Sequence, residues 1–186
     1  MNSSRAETQA LAAAQQRVDA AARQYLTFAV ASESFAAGIQ AIREILEVPP
    51  LTIVPRVPGF VRGVINLRGA VVPVIDLAAR FELGVTELAR RTCVVVVEAA
   101  GAAEAGEDGR AGAARQVLGV LVDAVHEVQD IGEHDIEPTP SLGTRIDPEF
   151  LSGMARVGGR LLGVLDLGRV LQQQELARLV ARHLAA

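Results

Sequence analysis

A mainly β protein built from two similar small barrels is what this 186-residue sequence predicts, and three observations predict it. First, apolar residues occur in short, largely β-branched runs bounded by turn residues, the signature of strands in an all-β fold. Second, the chain repeats itself. Gly63, Gly69, Val74, Asp76 and Leu77 return at one constant spacing as Gly153, Gly159, Val164, Asp166 and Leu167. Ala41-Ile42-Arg43-Glu44-Ile45 returns at a slightly shorter spacing as Ala124-Val125-His126-Glu127-Val128, and Pro55 returns as Pro138. The spacing changes in the loop before Pro148, where insertion is cheap. Third, each repeat closes with an apolar run, an aspartate suited to an N-cap and a short helix-forming stretch. A duplicated unit of several short strands argues for two small β-barrels. Neither has many bulky residues, so each is expected to pack against the other.

Taken in order, residues 1–24 read as a helical or flexible leader, with Leu11, Ala14, Val18 and Ala21 at helical spacing. Tyr25 to Val30 alternates Leu26, Phe28 and Val30 with Tyr25, Thr27 and Ala29, a half-buried strand. Phe35 to Leu46 reads as one strand flowing into another, although Ile39, Ile42 and Ile45 also fit helical spacing. Pro49-Pro50 breaks the chain, and Leu51 to Val54 is short and extended. Pro55, Pro58 and Gly59 make a turn before Phe60-Val61-Arg62, expected as a single helical turn.

Val64-Ile65 and Ala70 to Ile75 are then separated by Asn66-Leu67-Arg68-Gly69. Glycine takes positive φ freely and asparagine tolerates it, so this is a turn between two strands with Asn66 and Arg68 pointing away from the core. The second run reads as buried on both faces, with Pro73 consigning it to an edge or a bulge. Asp76 caps Leu77 to Phe81. Thr92 to Glu98 is the clearest strand. Residues 99–114 hold only Ala, Gly, Glu, Asp and Arg, too little apolar surface to order a loop. Val117 to Val122, Ala124 to Val128, Phe150 to Ala155 and Leu161 to Leu165 supply the second set of extended segments, with a turn at Gly158-Gly159 and a cap at Asp166. The barrels are expected at about residues 25–98 and 115–171, and 172–186 as a terminal helix with Leu176, Leu179, Val180 and Leu184 on one face.

Composition narrows the function. A net charge of −4 and an aromatic content of 3% disfavour nucleic acid, which needs basic and stacking surfaces. All 18 basic residues are arginine, which reads first as the bias of a GC-rich genome and second as a preference for bidentate contacts. The run Cys93 to Val97 is far short of the ~20 apolar residues that span a bilayer. The first twenty residues lack the apolar core of a signal peptide. One cysteine excludes an internal disulfide and fits a reducing, cytoplasmic setting. Cys93, among valines, reads as a buried inert thiol. His126, His134 and His183 have no ligand spacing, and twin caps account for Asp76 and Asp166 better than a catalytic pair does. No phosphate loop, nucleophile elbow or zinc-protease motif occurs, so no catalytic, cofactor or metal site is expected.

What remains is a surface for a partner. Arg68, held on a tight turn, can make a paired contact with a carboxylate at low entropic cost, either Glu44 of the same chain or a group on a partner. Ile42 and Val64 are either core residues or the lining of an apolar groove beside that pair. Arg56, Arg62 and Arg68, evenly spaced, form either a solvated face or a basic partner edge. The second repeat has Arg156-Val157-Gly158-Gly159 where the first has Asn66 to Gly69. The turn is kept while Asn66 and Arg68 are not, which points to a task specific to the first repeat.

The stretch Pro58 to Phe81, PGFVRGVINLRGAVVPVIDLAARF, resembles the signature of the CheW family, adaptors that couple bacterial chemoreceptors to the histidine kinase CheA. The likeness extends through Ile42, Glu44-Ile45, Ile53-Val54-Pro55 and Asp166-Leu167, covering most of residues 25–171. It implies two SH3-like five-stranded barrels around a shared apolar core. It also implies a receptor's helical tip in the groove between them and a kinase regulatory domain docked barrel end to barrel end. The residues matching the family's contact region are Ile42, Glu44, Gly63, Asn66 and Arg68; Val64 joins them from the groove reading above. A cytoplasmic protein reaching membrane arrays only through its partners is the corresponding location. An adaptor of a pilus-motility or other kinase pathway is the alternative within the family. A two-barrel regulator with a small molecule in the groove is the alternative outside it.

Overall fold

The computed structural model describes residues 22–100, 115–140 and 144–171. The leader up to residue 21, residues 101–114 of the expected loop and the terminal helix from residue 172 lie outside the described residues. Residues 22–24 of the expected leader already belong to the first strand, and 99–100 of the expected loop to the sixth.

The strands are β1 (Ala22–Val30), β2 (Glu33–Gly38), β3 (Ile42–Glu47), β4 (Val61–Leu67), β5 (Ala70–Asp76), β6 (Cys93–Ala100), β7 (Arg115–Val122), β8 (Ala124–Gly132), β9 (Ile136–Glu137), β10 (Leu151–Val157) and β11 (Arg160–Leu165). Short helices, Leu77–Arg80 and Leu167–Leu171, follow β5 and β11. The ambiguous isoleucines resolve into one 3-10 turn, Ile39–Ala41, followed by extended chain. Phe60-Val61-Arg62 is not a helical turn. Val61 opens β4 opposite Ile75, and the Phe60 carbonyl accepts from the Asp76 N–H at 2.8 Å, so this backbone is committed to the ladder with β5.

Two sheets form, in the orders β3-β6-β7-β5-β4 and β8-β1-β2-β11-β10-β9. They do not follow the expected division at 25–98 and 115–171. Hairpin β1–β2, which precedes β3, lies in the sheet of β8, β10 and β11. Hairpin β6–β7 precedes β8, the mate of β3, and so is the second repeat's counterpart although β6 was assigned to the first barrel; it lies in the sheet of β3, β4 and β5. The exchange is in register: Ile42 faces Val97 across β3 and β6, and its repeat mate Val125 faces Phe28 across β8 and β1. Each borrowed hairpin enters through a parallel pairing, β5 with β7 and β11 with β2. Repeat similarity identifies equivalent strands but carries no information about which copy each hairpin pairs with, hence the misplaced boundary.

The valine run of β6 shows why both faces must be apolar. Val94 and Val96 pack into a core private to the first barrel with Ile65, Val72, Val74 and Leu121. Val95 and Val97 face the opposite way into a core shared by both barrels. A strand buried on both sides reads as a continuous apolar run rather than an alternation. The second barrel has its own small core around Ala36, Ile131, Ala155, Leu162 and Val164. Through the shared core Phe28, Phe35, Phe81 and Phe150 run in sequence, with ring centroids 6.4, 5.5 and 5.6 Å apart. Pro73 lies in an interior strand rather than at an edge, one residue before the parallel pairing with β7 begins at Val74. It pairs in register with Val64, and the register shift of this ladder lies on β4 between Val61 and Gly63, so Pro73 occupies neither the edge nor the bulge that was expected.

Candidate functional site

The turn joining β4 to β5 sets the site's geometry. Arg68 and Gly69 take φ of 51° and 88° in succession, as Gly158 and Gly159 do at 56° and 77° in the second repeat. Two consecutive positive φ values give a hairpin turn whose twist matches its strands. The Asn66 side-chain oxygen accepts from the Gly69 N–H at 2.9 Å and fixes the turn. The second repeat manages with glycine alone. The first repeat puts an arginine in the left-handed region, which costs a non-glycine residue roughly 1 kcal/mol.

From that turn the Arg68 guanidinium reaches β3. Its Nη1 and Nη2 donate to the two carboxylate oxygens of Glu44 at 2.9 and 3.0 Å, a fork-to-fork pair. The arginine side chain stays 78% exposed and the glutamate 23%. Beside the pair opens a groove of about 400 Å³ lined by Arg43, Glu44, Leu67, Arg68, Ala70, Val72 and Val117. A neutralised but exposed guanidinium over an apolar floor can exchange its carboxylate for a partner's, or present the ready-made pair to one.

The other expected residues are placed differently. Ile42 is half-buried against the shared core, and Val64 is half-buried with its backbone paired to Thr52 in both directions at 2.9 Å. Neither lines the groove; Leu67, Val72 and Val117 do. Val117 comes from the exchanged hairpin, so no local signal could have announced it. Gly63 is buried at φ 141°, and a Cβ there would run into the Thr52 carbonyl oxygen. Its mate Gly153 meets the Glu137 carbonyl in the same way, which explains why both repeats keep glycine.

The three arginines do not make one basic edge. Arg62 is only 24% exposed and turns inward to Asp76, with Nη1 3.3 Å from Oδ2. Asp76 is fully buried. It caps the helix through Ala78 and Ala79 and also accepts from the Thr86 N–H and hydroxyl at 2.9 and 2.8 Å, tying the following loop down. Asp166 caps its own helix through the Arg169 N–H at 3.1 Å but remains 36% exposed. Each aspartate caps its own repeat's helix. Cys93 is half-buried rather than buried, because it opens β6 at a sheet end, with Sγ 3.3 Å from the Arg91 carbonyl. Among the described residues no group of three or more His, Cys, Asp and Glu side chains is placed to hold a metal ion.

With this geometry in view, a model of the CheW-like domain family matches residues 24–175. The chain belongs to the CheW family. It is 32% identical over 153 residues to the chemotaxis protein CheW of Rhizobium meliloti, covering 82% of this chain and 90% of that one. It is 30% identical over 162 residues to protein FrzA of Myxococcus xanthus, covering 86% and 91%. The crystal structure of the scaffolding protein TtCheW from Thermoanaerobacter tengcongensis superposes with a TM-score of 0.66 at 33% identity, over 78% of this chain and 85% of that one. The two-barrel architecture and the scaffold class of the CheW family therefore apply to this chain. No helix among the described residues is long and apolar enough to cross a membrane.

Proposed function

We propose that this chain is a non-enzymatic coupling protein that joins the cytoplasmic tip of chemoreceptors to the regulatory domain of a CheA-type histidine kinase. Its work is scaffolding. By holding receptor and kinase in one geometry, it lets a shift in the receptor change the population of active kinase. Its place is the cytoplasm, at membrane receptor arrays reached through those partners.

One observation supports the reading most directly: Arg68 occupies a left-handed position that the second repeat gives to glycine, and its side chain is displayed on the surface rather than used in the core. Backbone strain that persists where a glycine would relieve it points to function. In this reading Arg68 and Glu44 make the polar contact and Asn66 holds the turn. Gly63 sets the close pass of β4 over Thr52, and Ile42 and Val64 supply half-buried apolar flanks.

The test is binding of the purified full chain to a receptor-tip fragment and to the regulatory domain of a CheA-type kinase from the same organism. Arg68→Glu is expected to weaken one of them by about 1–3 kcal/mol, a hot-spot-sized loss. Glu44→Arg in that background separates two roles: recovery means the pair itself is recognised, and no recovery means Arg68 touches the partner. A folded wild type that binds neither protein rejects the adaptor reading. A thermal-shift screen with small molecules then tests the ligand-binding regulator.

A further inference from the structure

We propose that Arg80 is a positioning residue that pins the two repeats together on their pseudo-twofold axis and so fixes the angle between the barrels. The observations are all at the junction of the two short helices. The Arg80 guanidinium carbon lies 4.9 Å from the centroid of the Phe60 ring and 4.8 Å from that of the Phe150 ring. Its Nε donates to the Val170 carbonyl at 3.0 Å.

Every one of these partners is related to another by the repeat. Phe60 and Phe150 are equivalent, and their carbonyls accept from the equivalent Asp76 and Asp166 N–H groups at 2.8 and 2.9 Å. Arg80 and Val170 are themselves mates. Thus one arginine reaches from its own repeat to the same aromatic in both copies, and to the backbone of its own counterpart. A cation between two ring faces is attracted by both quadrupoles, and a planar guanidinium can stack while an edge N–H still donates. The mate is valine, fully buried, so no second charge competes for the axis.

The chain has five phenylalanines. Four run through the shared core, the fifth, Phe60, packs half-buried against that core, and Arg80 links its ring to Phe150 at the end of the run. Because the hairpins are exchanged, the sheets alone already entwine the repeats. The parallel pairing of β5 with β7 ends at Asp76 opposite Leu121, and the pin acts one helical turn beyond it. This proposal goes beyond the coupling reading and does not depend on it.

The test is residue-resolved amide hydrogen exchange on the full chain, for wild type, Arg80→Leu, Arg80→Lys and, as a control for plain core loss, Val96→Ala. In Arg80→Leu, the amides of Asp166, Val170, Asp76 and Phe81 are expected to exchange about tenfold or more faster relative to those of β6 and β7, the size such ring and hydrogen-bond contacts confer. Arg80→Lys should recover part of that protection, because it keeps the cation. Val96→Ala should accelerate β6 and β7 at least as much as the helix ends. Two results overturn the proposal: uniform acceleration of both sheets in Arg80→Leu, which makes Arg80 a contributor to global stability only, or no selective change at the helix ends.

Discussion

Asp76→Asn and Asp166→Asn, two equivalent substitutions in a repeated sequence, are expected to differ several-fold in cost. Asp76 Oδ1 accepts from the Ala78 and Ala79 N–H groups and from the Thr86 hydroxyl, while Oδ2 accepts from the Thr86 N–H and Arg62. An asparagine that keeps its oxygen on the cap must aim its NH2 at two donors. The change removes a charge-assisted bond, about 1.5–3 kcal/mol, and strands a buried N–H, about 1–3 kcal/mol. Together these come to about 2.5–6 kcal/mol, which brackets the usual cost of about 3–5 kcal/mol for breaking a buried ion pair from one side. At Asp166 the carboxylate is partly exposed, and asparagine caps a helix as well as aspartate does. Only the exposed contact to Arg169 is lost there, at most about 1 kcal/mol. Urea unfolding of the full chain, compared at constant slope, reads both differences directly. Equal losses in the two variants would refute the assignment of Asp76 as the buried tie.

Further outcomes follow from the same geometry. Gly63→Ala and Gly153→Ala should each destabilise by about 2 kcal/mol or more, because a Cβ meets a carbonyl oxygen, whereas Gly59→Ala, with open space around it, should stay within about 0.5 kcal/mol; chemical denaturation of the three variants checks this. Val95→Ala and Val96→Ala should both cost about 2 kcal/mol, since β6 is buried on both faces. A loss in only one of them would mean a single packed face. Arg68→Gly should leave stability nearly unchanged, as relief of about 1 kcal/mol of left-handed strain offsets an exposed ion pair worth about 0.2–1 kcal/mol. The same variant should weaken partner binding, measured by calorimetry on the folded protein.

The sequence by itself determined what is local. Asparagine and glycine at 66 and 69 specify the turn, Asp76 and Asp166 specify the caps, and the valines of β6 specify a strand with two apolar sides. The repeat was legible because equivalent glycines meet equivalent carbonyls, and even the Arg68–Glu44 pair was among the contacts open to inference. Its failures mark where local signals end. Phe60-Val61-Arg62 was expected as helix because its ladder partner lies beyond the turn, and of the core and groove readings left open for Ile42 it is the core one that packing chose, while Leu67, Val72 and Val117 line the groove.

Only the tertiary structure decided that the repeats exchange hairpins, that Asp76 is sealed while Asp166 is open, and that Arg80 lies between two phenylalanines. Turn and cap chemistry acts over a few residues, so it is written in neighbouring letters. Parallel pairing, burial and the choice between two equivalent copies depend on contacts between residues far apart in the chain. Those free energies appear only once both barrels are packed on one core.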